Sequence, residues 1–139
     1  PNESSMLGKA NLIKQGNDIT IVAYSNMVNV VKEAIAAEEL QDCSIELIDL
    51  QTVSPIDYDT IKNSLKKTKR LLVCQEAPSN SSVGTTVITK IVESDLFHEL
   101  EVAPKLVSGL HSPMPSAKHL ELNVIPQAED ITNAVKSML

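Results

Sequence analysis

The chain contains no tryptophan, one phenylalanine and two tyrosines among its 139 residues. Its core must therefore be aliphatic, and stacking platforms for bases or sugar rings have few candidates. Cysteine is almost as scarce, with Cys43 and Cys74 far apart and no CxxC pair. Free, mostly buried thiols in a reducing cytoplasm are expected, in preference to a disulfide. Cations are outnumbered, with 12 Lys and Arg against 18 Asp and Glu, for a formal charge of −6. That sign argues against nucleic acid or an anionic membrane as the main partner and suits a basic protein partner. No apolar run is long enough to span a bilayer. The opening Pro1-Asn2-Glu3-Ser4-Ser5 has neither the basic nor the apolar region of a secretory signal. The absence of an initiator Met suggests a start inside a longer chain or after processing.

What is present is an aliphatic alternation of strands and helices. Ala10-Asn11-Leu12-Ile13 reads as a short first strand, and Gln15-Gly16-Asn17-Asp18 as a turn with hairpin chemistry. Ile19 to Tyr24 is a β-branched run, suited to a strand covered on both faces. These two strands are expected to be antiparallel neighbours. Ser25 or Asn26 is placed to cap a helix whose apolar face is Met27, Val30, Val31, Ala34 and Ala37. Ile45 to Leu50 returns as a strand. Asp57 then caps a helix in which Tyr58, Ile61 and Leu65 share a face. Its acids, Asp57 and Asp59, stand at the N-terminal end, and Lys66, Lys67, Lys69 and Arg70 gather at the other, as the helix dipole favours.

Leu71 to Gln75 is the next strand, and Pro78 to Ser82 a loop. Gly84 to Ser94 is ambiguous by propensity, but Val87, Ile88, Ile91 and Val92 fit one helical face. Pro104 to Ser108 is a final strand, followed by an irregular stretch from Gly109 to Pro126. Ile131, Ala134, Val135 and Met138 define a closing helix. This order predicts an α/β fold: a three-layer α/β/α sandwich around a five-stranded, mixed, mostly parallel sheet with the first strand antiparallel. Residues 1–7 read as a linker remnant from an upstream domain, and 8–139 as one domain.

The chemistry-bearing residues mostly have structural explanations. Neither GxGxxG nor GxxxxGK[ST] occurs, so Ser25-Asn26-Met27 reads as a cap rather than a phosphate loop. His98, His111 and His119 form no HExxH or HxxxH pair, and no GxSxG elbow supports a Ser-His-Asp site. Tyr24-Ser25-Asn26 lacks the acidic pair of a response regulator. Asp49, Asp57 and Glu76 fall at or just beyond the C-terminal ends of predicted strands, the edge where open α/β sheets build sites. Asp57 as an N-cap and Glu76 as an acceptor for loop N–H groups are nonetheless favoured over catalysis.

Taken together, these segments resemble a known family. Leu7-Gly8-Lys9-Ala10 and Gly16 to Tyr24 are similar to the opening of the C-terminal domain of transketolase-like, thiamine-diphosphate enzymes. The resemblance is closest to β subunits of the decarboxylase component of 2-oxoacid dehydrogenase complexes. Asp49-Leu50-Gln51-Thr52-Val53-Ser54-Pro55-Ile56-Asp57 resembles that family's DLRTLxPxD segment, and Thr60 to Leu71 its TIxxSVxKTxRL. Gln75-Glu76-Ala77 matches its acidic strand end. Pro113-Met114-Pro115, Leu120-Glu121 and Pro126 resemble its PxPxxxxLE…P tail. The chain departs from the pattern at Gln51, where Arg is usual, at Ser81-Ser82 in a loop often rich in glycine, and at Leu110-His111-Ser112.

The resemblance implies a subunit-association and partner-docking domain. The parent enzyme would decarboxylate a 2-oxoacid oxidatively and acylate a lipoyl arm. Thiamine diphosphate and Mg would be held by other domains, leaving no catalytic, cofactor-binding or metal residue here and an inactive isolated domain. Implied partners are an α subunit or upstream cofactor domains and a lipoyl-bearing acyltransferase, in a dimer or heterotetramer, with no nucleic acid and no membrane. Glu121, Glu129 and Asp130 are the candidate docking residues. Gly8, Asp49, Pro55, Asp57, Glu76, Pro113 and Pro115 are signature residues with structural roles. Transketolase or deoxyxylulose-phosphate synthase is the alternative within the superfamily, and a stand-alone interaction module the alternative outside it.

Overall fold

The computed structural model describes residues 6–110 and 124–139. Strands β1 (Asn11–Lys14), β2 (Ile19–Ala23), β3 (Ile45–Asp49), β4 (Leu71–Pro78) and β5 (Lys105–Gly109) form one sheet in the order β1-β3-β2-β4-β5. β1 runs antiparallel to β3, and the remaining pairs are parallel. Helices α1 (Met27–Ala36), α2 (Tyr58–Thr68), α3 (Val83–Val92) and α4 (Ala128–Met138) cover the sheet. Short 3-10 turns follow α1 at Glu38–Leu40 and α3 at Asp95–Glu99.

The order of strands explains the layers. The crossover through α1 runs from β2 outward to β3, whereas α2 carries the chain from β3 back past β2 to β4. Right-handed crossovers in opposite directions lie on opposite faces. Accordingly, Met27, Val31 and Ala34 of α1 pack with Ile131, Val135 and Met138 of α4 on one side. Ile61 and Leu65 of α2 pack with Val87 and Ile91 of α3 on the other. β2 is buried along its whole length. It sends Ile19, Ile21 and Ala23 to the first core and Val22 to the second, as the period of two requires.

Thr20 is the polar exception, and α2 answers it. Its hydroxyl lies 2.6 Å from both Ser64 Oγ and Thr68 Oγ1. One residue across, Glu46 is buried in β3. Its carboxylate accepts from Lys67 Nζ at 2.6 Å and from the Gly16 N–H at 3.2 Å. Burial pushes the Glu46 carboxyl up, but hydrogen bonds from Lys67, Ser64 and Gly16 outweigh it and hold the group below its ordinary value. The seam between sheet and α2 thus carries a satisfied polar patch beside its aliphatic contacts.

The predicted sheet is present, but one pairing differs. β1 pairs with β3 rather than with β2, Asn11 opposite Asp49 and Leu12 opposite Ile48. Gln15 to Asp18 is thus a crossing over the start of β3 and not a hairpin. The N–H groups of Asn17 and Asp18 both donate to Ser44 O, at 3.1 and 2.8 Å, and Asp18 Oδ2 accepts from Ser44 N at 2.8 Å. Gly16 is needed for close approach, because a Cβ there would overlap the Ile45 backbone. The glycine-asparagine pair that suggests a tight turn serves a backbone crossing instead.

Smaller differences have local causes. Asn26 begins α1 without a side-chain capping bond, and Ser25 adopts φ 57°. Val28 lies on the buried face of α1, which Ala37 only flanks. Val92 ends α3 on its open side, 38% exposed. Arg70 lies just past the α2 terminus and reaches across the edge, donating to Met138 O at 2.9 Å and Asp18 O at 3.2 Å. It also pairs with Glu101 at 2.7 Å.

Gly16→Ala forces the crossing segment off β3. We expect a loss of about 3 kcal/mol, at the upper end of overpacking penalties, measured by urea unfolding.

Candidate functional site

The C-terminal edge of the sheet carries the signature loop between Leu50 and Asp57. The Asp49 carboxylate turns the chain by accepting from the Gln51 N–H at 3.0 Å, and Gln51 takes φ 56°. Leu50 N–H still donates to Ala23 O at 3.0 Å, which keeps the loop base on β2. The Ser54–Pro55 peptide is cis.

A clasp from the N-terminal side closes over this loop. Met6 to Lys9 forms a turn, with Lys9 N–H donating to Met6 O at 3.0 Å and Gly8 at φ 79°. Gly8 N–H reaches Thr52 Oγ1 at 3.3 Å. A Cβ on Gly8 would stand 3.1 Å from the Pro55 ring, so glycine is required by both conformation and space. Ala10 N–H donates to Asp57 Oδ2 at 2.9 Å.

Asp57 also caps α2, as its sequence position suggests. Its Oδ1 accepts from Thr60 N–H at 3.2 Å, and its Oδ2 from the Thr60 hydroxyl at 2.7 Å. Burial pushes the Asp57 carboxyl up. Hydrogen bonds from Thr60 and Ala10, with the Lys9 charge, more than offset this and hold it below the ordinary carboxylate value. Gly8, Asp49, Pro55 and Asp57 therefore converge on one small structure.

Glu76 stands apart from them, half-buried on β4. Burial first, and the Glu76 charge second, push the Tyr24 hydroxyl up. No hydrogen bond to the Glu76 carboxylate occurs among the described residues. The loop-pinning role falls instead to its neighbour Gln75, which sequence reasoning passed over. Gln75 is fully buried. Its Nε2 donates to Ala77 O at 3.0 Å and Pro78 O at 3.1 Å, and its Oε1 accepts from Gly84 N–H at 2.7 Å. The available signal was a lone amide closing the aliphatic run Leu71-Leu72-Val73-Cys74. Ser82 completes the junction by capping α3 through Thr85.

Glu129 and Asp130 occupy the first turn of α4. Asp130 Oδ2 accepts from Gln127 N–H at 2.8 Å. Both acids line a cleft of about 530 Å³ with Leu106, Leu110, Val124 and Ile125. Leu110 is 58% exposed at this cleft. The exposed lining is mainly polar, with two carboxylates beside the Leu110 side chain, which suits a basic, partly apolar peptide surface. Glu121, Pro113, Pro115, His111 and His119 lie outside the described residues. His98 packs edge-on against Phe97, with ring centroids 5.5 Å apart. Cys43 and Cys74 are free, and burial pushes the Cys74 thiol far up, which keeps it inert.

Among the described residues no three His, Cys, Asp or Glu side chains gather to hold a metal ion. Asp57 and Ser82 already fill the N-termini of α2 and α3. No helix among the described residues is long and apolar enough to cross a membrane.

Comparison with known proteins places these features in context. The family described as transketolase, C-terminal domain, matches residues 8–131. The pyruvate dehydrogenase E1 component subunit beta of Acholeplasma laidlawii is 38% identical over 132 residues, covering 95% of this chain and 40% of that protein. The mitochondrial counterpart from Pisum sativum is 36% identical over 130 residues, covering 94% and 36%. The Mycoplasma pneumoniae protein is 42% identical over 120 residues, covering 85% and 36%. The chain thus spans about two fifths of the length of these relatives. Among solved structures, a split-gene transketolase described as an inactive beta4 tetramer superposes with a TM-score of 0.79 at 23% identity, covering 96% of this chain and 43% of that one.

Asp57→Ala removes the acceptor for Ala10 and Thr60, and we expect a loss of about 2 kcal/mol. Asp57 and Glu46 both have lowered folded-state values. Their contribution is present above the unfolded-state values and is lost as pH falls through the folded ones. Stability measured by denaturant unfolding therefore declines below the ordinary carboxylate range, and Asp57→Asn flattens that decline.

Proposed function

Because the chain belongs to the transketolase C-terminal domain family, we propose that it serves as the association and docking domain of a thiamine-diphosphate-dependent 2-oxoacid dehydrogenase β subunit. The identity to β subunits, at 36–42% over most of the chain, supports this branch over the sugar-phosphate enzymes. The parent enzyme is an oxidoreductase of the cytoplasm that decarboxylates a 2-oxoacid such as pyruvate and passes the acyl group to a lipoyl arm. An α subunit completes a heterotetramer. Thiamine diphosphate and Mg sit on other domains and supply the carbanion chemistry there. Residues 1–7 lead in from an upstream domain, and 8–139 form the docking domain.

The observation that carries the docking reading is the cleft beside α4. Glu129 and Asp130 provide paired negative charge at a helix N-terminus, next to exposed Leu110. A small basic binding domain of a lipoyl-bearing acyltransferase matches both properties. Such charge pairs set association rate and orientation, while the exposed Leu110 side chain contributes burial. Glu121 is proposed to join them. The signature loop serves as a structural brace and not as a reaction centre.

Calorimetric titration with such a basic domain tests this. Saturable binding is expected, weakened about tenfold or more by E129K/D130K. Absence of binding, or binding indifferent to both substitutions, overturns the docking assignment. Decarboxylation of pyruvate by this chain alone, with thiamine diphosphate and Mg supplied, overturns the placement of the chemistry elsewhere.

A further inference from the structure

The sheet ends at β1, whose outer side pairs with no strand among the described residues. The surroundings of this margin reverse the sign of the chain as a whole. From Met6 to Asn17 the sequence holds Lys9 and Lys14 and no acid, although acids outnumber cations 18 to 12 over the chain. Both lysines are exposed, and neither forms an ion pair among the described residues. Asn11, Leu12 and Gln15 are exposed with them.

The register of β1 sorts its side chains between the two faces. Leu12 lies opposite Ile48 of the second core, so it faces the α2 side. Lys14 lies opposite Leu47 of the first core, so it faces the other side. α2 does not cover Leu12, which remains 41% exposed. Between them lies a cleft of about 320 Å³, with Leu12 and Gln15 on the strand side and Thr60, Asn63, Ser64 and Lys67 on the helix side. An unpaired strand margin thus runs beside a pocket. Those are the two parts by which an extended peptide is recognised: main-chain pairing gives affinity, and pockets for alternate side chains give specificity.

We propose that β1 accepts an extended acidic segment of another protein as an added strand. The residue opposite Leu12 is apolar and enters the cleft. Its neighbours in the alternation carry carboxylates on the opposite face, toward Lys14. Charge selects this occupant. A basic segment is repelled by Lys9 and Lys14, and edge lysines equally discourage pairing between two copies of this margin. The ladder of β1 is short and irregular between Leu12 and Lys14, so main-chain bonds alone give little hold and the charges decide. The proposal does not depend on the parent-enzyme reading, and its partner is opposite in charge to the one proposed for the α4 cleft.

The probe is a capped peptide of alternating glutamate and valine, titrated into the whole chain and followed by amide NMR. Saturable shifts are expected at residues 9–15 and at Thr60, Asn63 and Lys67. The lysine-valine counterpart is expected not to bind. Methylating alternate main-chain nitrogens of the peptide separates strand pairing from plain charge attraction. One of the two alternate sets is expected to lose at least about tenfold in affinity, and the other to bind as the parent peptide does. K14E is expected to weaken binding about fivefold with its melting temperature unchanged. The comparisons between peptides leave the protein unaltered, so they hold even if K14E fails to fold. Absence of saturable binding, equal binding of the lysine-valine peptide, or two methylated sets that both bind as the parent overturns the proposal. Shifts confined to other faces, or a folded K14E chain that binds unchanged, overturn it equally. Dimerisation through β1 without peptide does so as well, because a second copy is then the occupant.

Discussion

One buried carboxylate organises the C-terminal edge of the sheet. Asp57 ends the signature loop, starts α2 and receives the N-terminal clasp through Ala10. A charge nearly shut off from water persists only when its lone pairs are used, and here two backbone N–H groups and a hydroxyl use them. The same group lies at the positive end of the α2 dipole, where an anion is favoured. Gly8, Thr52 and Pro55 take their places around it: the clasp can dock only if its turn is tight, and the turn is tight only with glycine at φ 79°. The strongest family signature in the chain is thus a mechanical junction.

Much of this was legible in sequence because it depends on local rules. The strand-helix alternation, the N-cap at Asp57 and the face of α4 all follow from periodicity and capping preferences. The pairing of β1 did not. Gly16-Asn17 is compatible with a hairpin and with a crossing, and only the position of β3, set by α1, decides between them. Gln75 was equally hidden. Its partners are backbone groups at Ala77, Pro78 and Gly84, and a carbonyl carries no sequence letter. Glu46 and Lys67 belong to the same class, since a lysine among several on α2 does not announce which one meets a buried acid. In the candidate site, the residues with sequence-local partners were readable and those with distant backbone partners were not.

The net charge of −6 conceals sorted surfaces. Acids stand at the start of α4 beside exposed Leu110, and lysines line α2 across from a short acidic row. A summed charge predicts behaviour toward polyelectrolytes, but recognition of folded partners depends on where opposite signs face each other.

The antiparallel pairing of β1 with β3 also gives the sheet a weakly held margin. β1 precedes β2, α1 and β3 in sequence, yet it pairs with the last of these. β1 is exposed along most of its length and held by a short ladder. The clasp over the signature loop travels with it. Local opening at this margin would release β1, the Met6–Lys9 turn and the bond to Asp57 together, while the four parallel strands keep their own pairing. The molecule thus divides into a permanent body and a detachable latch, and the latch is the part that gives the signature loop its shape.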